Sequence, residues 1–161
     1  MFRSLSIGLA VAALTACAAM TPPTPGSSRD ELVQRWGQPT ARYALDNGVQ
    51  RFEYATGPYG RTTWMVDLDA GGRVTTARQV LNEAEFLQVQ SARDLTRESL
   101  LLWLGRPGER QHGGWAGGEV WSWRYPTNDC LWFQSSVADD GRVTGSAYAT
   151  DPRCDLPSAR S

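Results

Sequence analysis

Hydrophobic and polar positions alternate along this 161-residue chain with two periods, one typical of helices and one typical of strands. At 96–107, Thr96 is a candidate helix N-cap, and leucine and tryptophan residues then form an apolar stripe with helical spacing. Gly105 and Pro107 are residues that end a helix. The same order of residues occurs at 28–39, so the pattern predicts two short helices with well-defined ends.

Residues of the earlier helix and of the segments after it recur later in the sequence at a nearly constant offset. Ser28 and Glu31 have the spacing of a capping box at its N-terminus. The Gly-Arg-Val-Thr turn at 72–75 recurs at 141–144, and four positions of the helix recur with nearly the same shift. These four are Arg29, Leu32, Gly37 and Pro39, which return as Arg97, Leu100, Gly105 and Pro107. The repetition predicts two copies of one helix-then-sheet module.

In the first module, strand-like alternation at 49–54, 62–68 and 73–80 follows the helix. The Ala-Gly-Gly turn between the last two segments predicts a hairpin with a bulge, in a register that pairs Leu68 with Val74. In this register the apolar residues of all three strands share one face of the sheet. That face would hold Phe52, Tyr54, Trp64, Val66 and Leu68, and the opposite face would hold Arg51, Glu53, Met65 and Asp67.

The second module repeats the pattern, with strands at 120–125, 131–137 and 142–150 and an additional first helix at 81–95. The inner face of its sheet, packed on the helices, would hold Trp121, Trp123, Tyr125, Leu131, Phe133 and Val137. The outer face would hold Arg124, Trp132, Gln134 and Tyr148.

The N-terminus has the pattern of a bacterial lipoprotein signal. The apolar run after Arg3 is too short to span a bilayer, which takes about 20 apolar residues. It ends in Leu-Thr-Ala before Cys17, the arrangement of a lipobox, whose cysteine is diacylated and becomes the first residue after cleavage. The alternative is an ordinary secretory signal with an incidental cysteine. Ala18, in place of an aspartate that would retain a lipoprotein at the inner membrane, favours lipid anchoring in the outer membrane, facing the periplasm.

The predicted fold class is α+β, and the chain divides into four parts. Each module would consist of one or two short helices packed on one face of an antiparallel sheet of three to four strands, with the other face open. The parts are a signal peptide at 1–16, the lipidated cysteine and a Pro-rich tether at 17–27, a first module at 28–80 and a second module at 81–157.

Two cysteines, Cys130 and Cys154, remain after the lipidated one. An even pair in an oxidising envelope compartment predicts a disulfide. The alternative is two free thiols.

Composition argues against several classes of function. The net charge is −1, every basic residue is an arginine and no basic run occurs, so the sequence does not indicate a nucleic-acid partner. The single histidine, His112, lies in a glycine-rich stretch that is poorly suited to hold a general base. A faint calcium-loop pattern from Asp67 has Arg78 where a bidentate glutamate belongs. We therefore expect no catalytic residue, metal, cofactor or small-molecule substrate, and we expect that the protein is not an enzyme.

The segments at 81–89, 96–107 and 120–125 resemble the SmpA/OmlA domain, the BamE-like family of small outer-membrane lipoproteins. The tandem arrangement is similar to that of β-lactamase inhibitor proteins, which contain two such repeats side by side. The resemblance covers nearly all of Ser28 to Cys154. It implies a fold of helices followed by an antiparallel sheet, and a role in the assembly or integrity of the outer membrane.

The sequence contains seven tryptophans, and some of its aromatic residues are candidates for a protein interface. Trp132 and Tyr148, flanked by Arg124, would lie opposite each other on the outer face of the second sheet, where aromatics with arginine are typical binding anchors. Trp115 and Tyr59, on glycine-bearing loops, could contact a partner from the edge. The alternative is that Trp132 and Tyr148 cover the sheet or pack between the modules.

These patterns predict a non-catalytic outer-membrane lipoprotein that binds envelope proteins, among them subunits of the β-barrel assembly machinery. The alternative function is inhibition of a periplasmic or secreted enzyme, such as a β-lactamase or a peptidoglycan-acting enzyme.

Overall fold

The computed structural model describes residues 21–56, 60–113, 117–128 and 130–154. In this part of the chain, three helices and two four-stranded antiparallel sheets form two consecutive modules. In the first module a 3₁₀ turn, Asp46–Gly48, lies between the first two strands. In each sheet, strands that are consecutive in the chain are neighbours. The first module consists of α1 (Arg29–Trp36), β1 (Ala41–Ala44), β2 (Gln50–Ala55), β3 (Thr63–Leu68) and β4 (Val74–Gln79).

The second module repeats this order and has one more helix. A 3₁₀ turn, Pro152–Cys154, follows its last strand. Its elements are α2 (Glu83–Ser91), α3 (Arg97–Leu104), β5 (Glu109–His112), β6 (Glu119–Arg124), β7 (Leu131–Val137) and β8 (Val143–Thr150). The chain is therefore an α+β protein with two tandem modules, as the sequence predicts.

The two repeated helices have the predicted ends. The Ser28 hydroxyl accepts a hydrogen bond from the Glu31 backbone N–H, and the Glu31 carboxylate accepts one from the Ser28 backbone N–H, which satisfies two donors that the first turn leaves unpaired. Thr96 has the same role at the start of α3. Gly37 and Gly105 follow the last turns of α1 and α3 with φ of 79° and 78°, a conformation that favours glycine.

The strand register of the first module is the predicted one, with Leu68 opposite Val74. In both modules a bulge interrupts the last hairpin, between Asp67 and Leu68 and between Ser136 and Val137. The second bulge shifts the register by one residue, which moves every side chain beyond it to the other face.

This shift places Tyr148 opposite Phe133, on the inner face of the second sheet. The prediction that Tyr148 lies on the outer face beside Trp132 is therefore wrong. Its ring packs edge-on against those of Phe133 and Tyr125, at centroid distances of 5.6 and 5.8 Å.

The first sheet is covered on both faces. Helix α1 packs on one face, where Leu32 joins the predicted apolar residues of β2, β3 and β4 in one buried cluster. On the other face, Met65 is buried in the core of the second module, together with Leu100 and Leu104 of α3. The prediction of an open second face is wrong for this sheet, because the face that carries Arg51, Glu53, Met65 and Asp67 is the junction between the modules.

The inner face of the second sheet packs on α2 and α3, as predicted. Phe86 of α2 stacks on Phe133 with a centroid distance of 4.4 Å, and Trp121 and Trp123 are fully buried beside them. The layers therefore follow the order α1, first sheet, α2 with α3, second sheet.

Within the described ranges, no helix is long and apolar enough to cross a membrane.

Candidate functional site

The predicted anchor Trp132 lies on the outer face of the second sheet, but it is only 2% exposed. The guanidinium carbon of Arg124 lies 4.0 Å from the centroid of the indole ring, and that of Arg153 lies 5.8 Å from it. Both arginines cover the ring through cation–π contacts. The prediction that Trp132 is an exposed binding residue is therefore wrong.

A buried carboxylate holds this cover in place. The Asp151 side chain is 3% exposed and accepts hydrogen bonds from Arg153 Nε and Nη2, and it forms an ion pair of 2.9 Å with Arg124 Nη2. The hydrogen bonds from Arg153, and then that from Arg124, hold the pKa of Asp151 well below its usual range, although burial opposes this shift. Because the folded-state pKa is depressed, Asp151 stabilises the fold at neutral pH, and this contribution is lost as the pH falls through that pKa.

The disulfide between Cys130 and Cys154 ties the same turn to the start of β7, with a Cα–Cα distance of 5.7 Å. It thereby keeps Arg153 close to Trp132. The predicted cysteine pair is therefore bonded in the structure, and it closes the end of the second module.

We expect that replacing both Cys130 and Cys154 with serine lowers the free energy of unfolding by about 3 kcal/mol, because the bond restricts the unfolded chain over a loop of roughly 25 residues. Guanidinium unfolding monitored by tryptophan fluorescence measures this loss. The matched control is the wild-type protein treated with a reducing agent, which should lose the same amount. An unchanged midpoint in both samples would show that the bond contributes nothing.

Other predicted residues lie elsewhere. Cys17, Tyr59 and Trp115 are outside the described residues. The side chain of His112, at the end of β5, is 86% exposed, and its Nε2 lies 3.7 Å from Glu119. Among the described residues, no three His, Cys, Asp or Glu side chains are grouped as metal ligands.

A groove of about 340 Å³ lies at the junction of the modules, and each charged side chain of its lining forms an ion pair. Arg51 donates two hydrogen bonds to Asp67 and a third, of 2.6 Å, to the backbone carbonyl of Leu102 in α3. Glu85 accepts one from Arg78 and one of 2.6 Å from the indole of Trp103. These bonds connect the first sheet to the helices of the second module.

Glu53 is a second connection across the junction, and it is 0% exposed. Its carboxylate accepts hydrogen bonds from Tyr43 Oη at 2.6 Å, Thr40 Oγ1 at 3.0 Å and the backbone N–H of Arg106 at 3.1 Å. Burial, and then the hydrogen bond to Glu53, raises the pKa of the Tyr43 phenol well above its usual range. The hydrogen bonds of Arg51 and Glu85 and those of Glu53 therefore connect the two modules.

A different groove, of about 500 Å³, lies on the side of the first module that faces away from the second. It runs between α1 and the β1–β2 edge of the first sheet, and we call it the Arg29–Arg42 groove. Its lining residues are Arg29, Asp30, Val33, Gln34, Gln38, Arg42, Gln50 and Phe52. Arginine and glutamine side chains, which donate hydrogen bonds, form most of this lining.

The two arginines flank one aromatic ring. The guanidinium carbons of Arg29 and Arg42 lie 5.9 and 5.2 Å from the centroid of Phe52, which is itself buried. Each arginine makes one hydrogen bond to a neutral amide, Arg29 to Gln50 at 3.1 Å and Arg42 to Gln38 at 2.6 Å.

Within the described part of the chain, several N–H groups of both arginines remain free for other acceptors, because a guanidinium has five donors. Asp30 is the carboxylate of the lining, and it forms no ion pair with either arginine among the described residues.

Comparisons with known proteins give little further information. No family model matches the chain, and no curated protein matches it. Among solved structures, the chain is similar to a DUF4309 family protein, YjgB, from Bacillus subtilis, with 12% sequence identity over 78% of this chain and 79% of that one. The TM-score is 0.31, so this likeness carries no argument about function.

Proposed function

We propose that this protein is a non-catalytic outer-membrane lipoprotein that binds other envelope proteins through the Arg29–Arg42 groove. The observation that carries the proposal is the groove itself, which presents two guanidinium groups that have no carboxylate partner among the described residues. Arg29, Gln34, Gln38 and Arg42 are all exposed there. Arginine is enriched at protein-binding surfaces.

The position of the groove in the chain suits a partner near the membrane. The backbone N–H of Gly26 donates to the carbonyl of Val74, so the chain is attached to the first sheet from that residue on. The segment from Cys17 to Gly26 spans at most roughly 30 Å when extended. If Cys17 carries the lipid, the groove lies within a short distance of the membrane surface.

The resemblance to the SmpA/OmlA family adds the class of partner. Lipoproteins of that family belong to the β-barrel assembly machinery, and we propose that this chain supports outer-membrane assembly or integrity in a similar manner. The tandem arrangement is also similar to that of β-lactamase inhibitor proteins. The alternative function is therefore inhibition of a periplasmic enzyme, which the experiment below can also detect.

A photo-cross-linking residue at Gln34, in the full-length chain and in native membranes, tests this proposal. We expect a cross-link to an envelope protein of the assembly machinery. The matched control places the same residue at Ala84, an exposed position of α2 in the other module. Equal cross-linking from both positions, or none from Gln34, contradicts the proposal. A cross-link to one soluble hydrolase instead identifies an inhibitor.

The lipid anchor has its own test. We expect that Cys17→Ser moves the protein from the membrane fraction to the soluble fraction, because two or more acyl chains are needed for stable attachment. Immunoblots of fractionated cells measure the distribution. The control is Cys130→Ser, which removes a different cysteine and should leave the protein in the membrane. Membrane retention of the Cys17 variant would disprove the anchor.

A further inference from the structure

The Arg29–Arg42 groove has a counterpart in the second module, so the chain contains two versions of one site. Arg29 and Arg97 are the first residues of α1 and α3. Arg42 lies opposite Phe52 in the β1–β2 pair, as Arg110 lies opposite Trp121 in the β5–β6 pair. The guanidinium carbon of Arg110 lies 4.3 Å from the Trp121 ring centroid.

The two versions differ in charge at one position. Glu119 begins β6 and lies opposite His112, and the equivalent position in the first module is Gln50, opposite Ala44. The second module therefore has a carboxylate where the first has a neutral amide.

The second module shows how this carboxylate is held. The indole Nε1 of Trp121 donates to Glu119 at 2.7 Å. This hydrogen bond is the largest cause of the lowered pKa of Glu119, and the nearby His112, 3.7 Å away, and then Arg110 and Arg97 lower it further, although burial opposes the shift. The second module thus places a carboxylate beside the indole of Trp121 and near Arg110 and His112. In the first module Arg29 and Arg42 have no such carboxylate among the described residues.

We propose that the Arg29–Arg42 groove binds an aspartate or glutamate side chain of a partner protein, next to Gln50, the residue that corresponds to Glu119 of the second module. This inference rests on the proposed function and names the group that the partner contributes. Phe52 has no N–H to replace that of Trp121, so the donors would be the free N–H groups of the two arginines and the amide of Gln50. Charge-assisted hydrogen bonds from a guanidinium favour a planar carboxylate.

Titration of the full-length chain in neutral detergent with a terminally blocked Gly-Glu-Gly peptide tests the site. In protein labelled with ¹⁵N-arginine, we expect the Nε–H signals of Arg29 and Arg42 to shift, with a dissociation constant on the order of 1 mM. Substitution of each arginine by lysine assigns its signal. The matched Gly-Gln-Gly peptide should give no shift, and the signal of Arg35, exposed on the same helix, should not move.

The Gln50→Glu variant supplies the missing carboxylate from within the chain. We expect it to weaken the peptide response at least about tenfold and to raise the melting temperature by about 3 °C, through a new intramolecular ion pair. An unchanged peptide response in this variant overturns the proposal. Equal shifts with the glutamine peptide also overturn it, as does a response to inorganic phosphate but not to the glutamate peptide.

Cross-linking from Gln34 in the Gln50→Glu background separates this inference from the proposed function. Loss of the cross-link supports both. If the envelope partner still cross-links to the Gln50→Glu variant with wild-type yield, the proposed function stands and the carboxylate site is wrong.

Discussion

Glu53→Ala is expected to lower the free energy of unfolding by about 4 kcal/mol, because it removes a fully buried carboxylate and leaves two partly buried hydrogen-bond donors without their acceptor. These donors are the phenol of Tyr43 and the backbone N–H of Arg106, from opposite sides of the module junction. The hydroxyl of Thr40 keeps the backbone carbonyl of residue 53 as an acceptor. The loss also opens a cavity in the junction, where the glutamate side chain is fully buried. Guanidinium unfolding at pH 7, monitored by tryptophan fluorescence, measures the change.

Tyr43→Phe is the matched control for this experiment. It removes one of these two donors and keeps the carboxylate, so we expect a loss of only about 1 kcal/mol. A loss for Glu53→Ala below about 1 kcal/mol would mean that the carboxylate does not connect the modules. Similar losses for the two variants would assign the whole effect to the Tyr43 hydrogen bond.

The junction gives Gly105 a second role that its repeat partner Gly37 does not have. A Cβ atom at Gly105 would lie 2.9 Å from a carboxylate oxygen of Glu53, whereas none of the described atoms lies within 4 Å of one at Gly37. The Gly105 carbonyl also accepts a hydrogen bond of 3.1 Å from the indole of Trp123. Both glycines end a helix, but only Gly105 allows the close approach of the two modules.

Local signals in the sequence predict much of the fold. The caps of α1 and α3, the hairpin with Leu68 opposite Val74, and the apolar faces of the central strands all depend on residues that are near one another in the chain. Strands β1 and β5 are missing from the prediction, because Ala-Arg-Tyr-Ala is only four residues long and Glu-Arg-Gln-His, equally short, has no apolar residue.

The covered face of the first sheet could not be predicted from the pattern of its residues. Arg51, Glu53 and Asp67 are charged, and charged residues on alternate strand positions usually face solvent. In this protein they are buried or half-buried, because the backbone of α3 and neighbouring side chains satisfy their hydrogen bonds. The partners in and after α3 lie far away in the sequence, so no local pattern indicates them.

The two arginines of the Arg29–Arg42 groove are both repeated in the second module, and the prediction did not use the repeat of Arg42. Arg42 recurs as Arg110 at the same offset that relates Arg29 to Arg97. Recognising the site required the pairing of β1 with β2, which the sequence does not predict. The candidate interface is therefore the arginine-rich edge of the first module, whereas the sequence predicts the aromatic outer face of the second sheet.

Trp132→Ala is expected to lower the free energy of unfolding by about 4 kcal/mol, the typical cost of truncating a buried tryptophan. The side chain is almost fully buried, and its ring supports Arg124 and Arg153, which both bind Asp151. An exposed anchor residue would behave differently, since its loss would weaken binding and leave the stability nearly unchanged. Guanidinium unfolding of the variant distinguishes these two roles.

Gln134→Ala is the matched control for Trp132, because Gln134 lies on the same face of the same strand and is half-buried. It should cost about 1 kcal/mol, the value of its hydrogen bond to Ser122. If Trp132→Ala unfolds at the wild-type midpoint, the turn that carries Arg153 does not cover the ring in solution. The outer face of the second sheet would then regain the aromatic residue that the sequence predicts for a partner.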